Sequence, residues 1–273
     1  MSVDTKPTID HLRAEVAAHP LWYHTIELAP GIVTPGWFDL RQIVERMPWP
    51  DLNGLRCLDV GTYDGFLAFE LERRGAAEVV AIDIADHESW DWPAEVRGRG
   101  TEFLADIAGP DKGAGFRITR RALGSNVDRR ELSVYDLAPE RLGEFDFITC
   151  GALLLHLRDP LRALEAIRSV CRGRFLSAEQ ISPLTTLLHP RRPLLDVGPA
   201  LSELRWWTPN AAGHRRLVEA SGFAVERAVR PYAVAFGPSH PRAGGGLRRA
   251  LLTRLVARGD GIPHSAVLAR PRV

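Results

Sequence analysis

The stretch from Leu58 to Gly75 reads LDVGTYDGFLAFELERRG, and EVVAID follows at 78–83. LRCLDV, ending at Val60, is a short apolar run of strand type. GFLAFELERRG carries the apolar repeat of an amphipathic helix and closes on Gly75, a residue type that ends helices in the left-handed conformation. A second strand comes next. Strand, glycine turn, helix and strand within about 30 residues imply a parallel pair joined by a crossover helix. No other feature narrows the possible folds as much.

The rest of the chain extends that unit. Further strands are expected at 130–134, 145–150, 173–181, 223–229 and 264–270, with helices over PLRALEAIRSVC from Pro160 and PNAAGHRRLVEASG ending at Gly222. Alternating strands and helices indicate an α/β fold, a Rossmann-like and mostly parallel seven-stranded sheet with helices on both faces. The last two strands lack a clear crossover helix between them, which suggests an antiparallel edge hairpin. Before the sheet, residues 8–18 read as a helix capped by Thr8 or Asp10 and stopped by Pro20. LWYHTIELAPGIVTPGWFDL is too irregular for a plain strand, FDLRQIVERM reads as a second short helix, and MPWPDLNG is a breaker-rich linker. The 273 residues therefore divide into an N-terminal cap over 1–50 and a sheet domain over 51–273, with a basic insertion at 240–262 before the last strand.

The turn suggests its ligand. Nucleotide-binding turns follow G-x-G-x-x-G or a close relative, and ligands lie at the carboxyl ends of the strands where strand order reverses. Here Gly61, Thr62 and Gly65 make the turn, and Tyr63 stands where a second glycine is usual. A dinucleotide needs that glycine for close approach of the pyrophosphate. S-adenosylmethionine has no phosphate and loses little without it. Asp59 supplies a carboxylate for a cationic amino group, directly or through water. Asp83, at the end of the second strand, can accept from ribose hydroxyls.

LDVGTYDG, VVAIDI, EFDFITCGALLLHLRDPLRALEAI and WWTPNAAGHRRLVEASGF together resemble a class I S-adenosylmethionine-dependent methyltransferase, over roughly residues 50–235. HTIELAPGIVTPGWFDLR and HLRDP are similar to the branch named tRNA wobble-uridine methyltransferase-like, whose best-known member uses carboxy-S-adenosylmethionine. The resemblance puts Gly61 at the turn, Asp83 and Ile84 beside the ribose, Val134 and Tyr135 beside the adenine, and Gly151 under the cofactor. The carboxymethyltransferase has an N-terminal lysine where this chain reads Trp22-Tyr23-His24, and a tyrosine where this chain has Leu155. Both meet the extra carboxylate. A buried carboxylate without partners is costly, so ordinary S-adenosylmethionine is the expected donor, although Arg41 falls near another basic position of that site.

Methyl transfer chiefly needs alignment, and a base helps when the acceptor is a hydroxyl. His156, just after the fourth strand, is the first choice for that base, or else it packs against the loop ending at Asp159-Pro160. His24 sits among Trp22, Tyr23 and Trp37 in a segment that can form a lid and part of an acceptor pocket. Trp37, Arg41 and Trp207 are the expected substrate contacts. Trp90 or Trp92 in SWDWP can cover the adenosine or merely anchor a surface loop. The Pro-rich loop holding His189, Arg191 and Arg192 is expected to border the acceptor site. The nine histidines and the carboxylates show no metal-ligand spacing.

Composition excludes several classes. Lys+Arg is 35 against Asp+Glu 34, so no global field favours nucleic acid or membranes. Cys57, Cys150 and Cys171 form no disulfide framework and fit a reducing cytoplasm. The first ten residues have no apolar signal region, and no apolar run approaches a membrane span. Residues 242–258 hold five arginines and no acid. That segment either binds RNA or an anionic surface, or packs on the sheet through Leu247, Leu251, Leu252 and Leu255. The expected activity is methyl transfer to oxygen or nitrogen of a small molecule, in specialised or sugar-related metabolism. Alternatives are tRNA wobble-uridine methyl or carboxymethyl transfer, an NAD-dependent oxidoreductase and a non-catalytic scaffold.

Overall fold

The protein is described by a computed structural model covering residues 7–108, 111–197, 204–241 and 247–272. Residues 1–6 of the cap and 242–246 of the basic segment lie outside them. The described elements are α1 (Ile9–Ala18), β1 (Glu27–Ala29), β2 (Ile32–Val33), β3 (Phe38–Asp39), β4 (Arg56–Val60), α2 (Phe66–Arg73), β5 (Glu78–Asp83), α3 (Ala94–Arg97), α4 (Thr101–Ala108), α5 (Ala114–Leu123), β6 (Asp128–Glu131), α6 (Pro139–Leu142), β7 (Phe145–Gly151), α7 (Pro160–Ser169), β8 (Cys171–Gln180), α8 (Pro183–Leu188), β9 (Leu195–Val197), β10 (Trp207–Pro209), α9 (Ala211–Ala220), β11 (Phe223–Ala228), β12 (Tyr232–Phe236), α10 (Leu247–Ala257) and β13 (Ile262–Pro271).

The main sheet runs β3-β12-β13-β8-β7-β4-β5-β6, with β11 also paired to β13. β8, β7, β4, β5 and β6 are parallel neighbours. β13 is antiparallel to β8, β11 and β12. The Rossmann-like architecture is as expected, but the sheet has nine described strands in place of seven. The two additions are β12 and β3. β13 is ten residues long, so β11 pairs with its second half and β12 with its first. The expected antiparallel pair forms, β11 against β13, but β13 lies inside the sheet beside β8 and not at its edge.

FDLRQIVERM does not form one helix. Phe38 and Asp39 pair with Phe236 and Ala235, and only Val44–Arg46 make a helical turn. Pairing with a free strand edge satisfies more backbone groups than a short helix ahead of Pro48 would. The cap is thereby stitched to the sheet. The helix at 8–18 forms as read, with the Thr8 side chain accepting from the His11 amide.

Strand residues alternate between two cores, as the period of a strand requires. Leu58, Val60, Val80 and Ile82 face α7 and α9, packing with Leu164, Ile167 and Val218. Cys57, Val79 and Ala81 face α2 and α5, packing with Phe69, Leu71 and Phe116. A third cluster of Leu12, Val16, Trp22, Ile26 and Ile32 lies against Phe66 and Ala122, so the cap covers the outer side of α2 and α5. All three cysteines are free and buried, and burial pushes the Cys57 thiol up to about 12. On α10 two members of the expected leucine face stand exposed, Leu252 is half-buried, and the side chain of Leu247 lies outside the described residues. Leu251 is 54% and Leu255 65% exposed, while Thr253 and Ala257 are buried. No helix among the described residues is long and apolar enough to cross a membrane.

Candidate active site

β4 lies between β5 and β7, and the chain leaves it in one direction for β5 and returns on the other side as β7. The carboxyl ends of β4, β5 and β7 therefore border the crevice where strand order reverses. The glycine turn sits there. Gly61 has φ +75°, and its amide and that of Thr62 both donate to the Ile82 carbonyl. Tyr63 has φ +48°, a left-handed conformation that glycine adopts freely and other residues adopt at a cost. Contacts on both its backbone and its ring hold it. Its amide donates to Asp83 Oδ2 at 2.6 Å, and its ring lies 5.0 Å from that of Tyr23.

Gly65 has a different task. A side chain there would strike the rings of Phe69 and Phe116, at 2.3 and 2.8 Å. It permits helix packing.

Three acids surround the turn. Asp59 is 2% exposed, and the Thr149 hydroxyl donates to it at 2.7 Å. Burial pushes it up to about 6 against that bond. Asp83 receives Tyr63 on one oxygen and the Ile84 amide on the other, at 2.7 Å. Burial raises its carboxyl, while the two amides, Arg129 and Lys112 favour the charged form. Asp64 turns away from the sheet, and its Oδ2 accepts the amides of Tyr23 and His24 at 2.6 and 3.0 Å. This was not visible in the sequence: the turn itself anchors the cap. Burial pushes Asp64 up to about 7.

Above the turn the cap supplies an aromatic cluster. The rings of Tyr23 and Phe38 are 5.0 Å apart, and Trp37 stands 6.2 Å from Tyr23. The His24 ring lies 5.8 Å from Phe66, its Nδ1 is buried without a hydrogen-bond partner among the described residues, and burial lowers it to about 3. Such an imidazole is a weak proton acceptor. Arg41 is not brought to the turn. It grips Asp39 with two bonds of 2.9 and 2.7 Å and lines a groove of about 690 Å³ between the β1–β2 hairpin and α2.

On the β7 side, Gly151 ends the strand, and a side chain there would meet Leu67 at 2.9 Å. The following loop is held from below by Glu179, 1% exposed, which accepts the Leu154 amide at 2.8 Å. His156 closes this loop. Its Nδ1 lies 2.9 Å from the Leu204 carbonyl oxygen. A carbonyl only accepts, so Nδ1 carries the proton and Nε2 is the basic nitrogen. Burial lowers its affinity for a second proton, which favours the neutral ring.

Neither tryptophan near β10 is loose. Trp206 donates its indole N–H to the Asp91 carbonyl at 2.6 Å, and Trp207 donates to Leu157 at 3.0 Å. Val134 is buried in the sheet core beside Tyr135, whose hydroxyl donates to Asp91 and accepts the Asp159 amide. Asp91 also accepts the Arg158 amide, at 2.9 Å, so one residue ties together the loops after β5, β6 and β7. Trp90 donates to the Ile84 carbonyl and stacks on Trp92 at 5.2 Å. Lys112 lies over Trp90, its Nζ 3.3 Å from the ring centre. Sequence reasoning missed Asp64, Asp91, Glu179 and Lys112. Only Lys112 left a signal, as one of two lysines in the chain. Among the described residues no group of three or more His, Cys, Asp or Glu is arranged to hold a metal ion.

A family model described as a methyltransferase domain matches residues 38–228, from β3 to the end of β11. The ubiquinone biosynthesis O-methyltransferase of Xanthomonas euvesicatoria pv. vesicatoria (strain 85-10) is 34% identical over 122 residues, 45% of this chain and 41% of that protein. That of Xanthomonas oryzae pv. oryzae (strain PXO99A) is 35% identical over 116 residues, 42% of this chain and 38% of the relative. The chain thus spans about two fifths of the length of these curated relatives. Among solved structures, the N-terminal domain of EvdMO1 in the presence of S-adenosylhomocysteine and D-fucose superposes with a TM-score of 0.54 at 15% identity, over 100% of both chains. This likeness shows a shared fold.

Proposed function

The chain belongs to the S-adenosylmethionine-dependent methyltransferases, and from that premise we propose that it methylates a hydroxyl oxygen of a small organic acceptor. The residues at the turn suit this cofactor. Asp83 keeps a free lone pair on each oxygen for ribose hydroxyls, since each accepts only one backbone amide. Gly61 keeps the turn open, with Tyr63 in the place where a dinucleotide turn would need glycine. In this reading Ile84 lies with Asp83 beside the ribose, Val134 and Tyr135 are the adenine-side residues, and Asp59 sits behind the amino-acid end. Bound, S-adenosylmethionine supplies a methyl carbon already activated for in-line displacement.

The observation that carries the choice of oxygen is the His156–Leu204 hydrogen bond. It presents a neutral imidazole with a basic Nε2 at the carboxyl end of the sheet. His156 would take the acceptor's hydroxyl proton at Nε2 while that oxygen receives the methyl group that the bound cofactor would supply. General bases of this kind contribute about 10²- to 10⁴-fold. The O-methylating relatives over 122 residues support the reading, and so does the near balance of 35 cations and 34 anions, which gives a polyanion such as tRNA no broad footprint. Trp37 and Trp207 are the aromatic walls of the acceptor pocket.

The test is label transfer from methyl-labelled S-adenosylmethionine to a panel of phenols, catechols, sugars, amines and bulk tRNA. The proposal expects O-methylated product from the hydroxyl members and much slower turnover in His156→Ala. Label on amines or tRNA alone would replace it with the nitrogen or tRNA reading.

A further inference from the structure

Lys112 has no part in the reading above, yet its placement is unusual. It stands just before α5, is only 9% exposed, and its ammonium has no hydrogen-bond partner among the described residues. Withdrawing an ammonium from water without a partner is unfavourable. Its immediate neighbours are ring faces, Trp90 at 3.3 Å and Tyr63 at 5.2 Å. These offer cation–π attraction but accept no conventional hydrogen bond. Burial lowers Lys112 to about 7, and the charges of Asp83 and Asp64 oppose that fall, although neither carboxylate hydrogen-bonds to it.

Two unfinished groups therefore face one region. Asp83 has one amide on each oxygen and a spare lone pair on each. Lys112 has three N–H groups and, among the described residues, no acceptor for them. The two are held on one framework: the Trp90 indole beneath Lys112 is fixed by its bond to the Ile84 carbonyl, one residue past Asp83, and the Tyr63 ring beside Lys112 belongs to the residue whose amide Asp83 accepts. A ligand finishing both must donate to a carboxylate and accept from an ammonium at neighbouring atoms. A vicinal diol does this, because each hydroxyl is both donor and acceptor.

We propose that Lys112 is a cofactor-binding residue, the donor half of a clamp on the ribose hydroxyls whose acceptor half is Asp83. The proposal rests on the reading of this crevice as the S-adenosylmethionine site. Its consequence is an opposition between stability and affinity. Lys112 is an unsatisfied buried group until the ribose arrives, so it weakens the ligand-free fold and strengthens the complex. A lysine with a purely structural role would stabilise the ligand-free fold.

The experiment is calorimetric titration of the full chain and of Lys112→Met with S-adenosylhomocysteine, adenosine and 2′,3′-dideoxyadenosine, alongside ligand-free thermal unfolding. Lys112→Met is expected to bind S-adenosylhomocysteine about 10- to 100-fold more weakly, with an unfolding midpoint equal to or above wild type. It should weaken adenosine similarly and leave the dideoxynucleoside unaffected, since that ligand has no diol to hold. Equal affinity of wild type and variant for S-adenosylhomocysteine overturns the clamp alone. So does an equal loss for adenosine and the dideoxynucleoside, or a lowered ligand-free midpoint in both Lys112→Met and Lys112→Gln. Failure of the wild type to bind S-adenosylhomocysteine overturns the cofactor reading and the clamp with it.

Discussion

The carboxylate of Asp64 accepts the backbone amide of Tyr23 at 2.6 Å, and the same oxygen takes His24 at 3.0 Å. The glycine turn and the segment that covers it are thus joined through one side chain, 41 positions apart from Tyr23. Asp64→Ala leaves two part-buried amides without this acceptor. The expected loss is about 2–4 kcal/mol of unfolding free energy, from charge-assisted bonds of this kind, with a smaller loss in Asp64→Asn. Urea denaturation measures it. Wild-type stability in Asp64→Ala would mean that the cap is held by its apolar cluster instead.

The same junction depends on close approach. A side chain at Gly36 would meet the His24 carbonyl carbon at 2.2 Å and the Thr25 nitrogen at 2.3 Å, both backbone atoms that cannot swing aside. At Gly115 it would meet Asp64 Oδ1 at 2.5 Å. Gly36→Ala and Gly115→Ala are each expected to cost about 1–3 kcal/mol by overpacking. Gly115→Ala should add little when combined with Asp64→Ala, because both disturb one contact. A double-mutant cycle by chemical denaturation checks this, and full additivity would contradict it.

Buried acids and bases set an unusual pH dependence. Asp59, Asp64 and Glu179 are held at about 6, 7 and 8 by burial, against an unfolded value near 4. Above that unfolded value the unfolded chain releases protons that the fold keeps, so stability falls as pH rises through these three values. His24 and His214 near 3 and His264 near 4 act in the opposite sense. Below about 6.5 the unfolded chain takes up protons that the fold refuses, so stability falls as pH drops. Lys112, lowered to about 7, gives up its proton in the fold before the unfolded chain does and so offsets the fall from pH ~7 upward. The ligand-free Tm is therefore expected to peak near pH ~6 and to decline toward pH ~7, with a shallower decline in Asp64→Asn. Scanning fluorimetry across buffers reads it, and a Tm that rises from pH ~6 to ~7 would contradict the assignment.

His156 should separate binding from turnover. His156→Gln is expected to lower kcat by about 10²-fold or more, while affinity for S-adenosylhomocysteine stays within about twofold, as suits a residue acting in the transition state. Equal losses in both would make His156 a support for the loop.

Much of this could be read from the chain. The unit from β4 to β5 was legible because its apolar residues alternate in the strands and repeat at helical spacing between them. β3 and β12 were not, because a two-residue strand has no period, and its partner lies about 200 positions away. That long-range pairing also overrode the helical pattern of FDLRQIVERM. The turn glycines and Asp83 were legible from spacing. The hydrogen bond that orients His156 was not, since Leu204 comes from a loop 48 residues on. Asp91 and Glu179 act by meeting several loops at once, and no local pattern encodes such a meeting.

The central claim is that this turn holds S-adenosylmethionine with Asp83 on its ribose. Calorimetric titration of the wild type and Asp83→Ala with S-adenosylhomocysteine tests it directly. The account predicts one site per chain in the wild type and an affinity about 10-fold or more lower in the variant. No binding to the wild type at millimolar ligand, or unchanged affinity in Asp83→Ala, would contradict it.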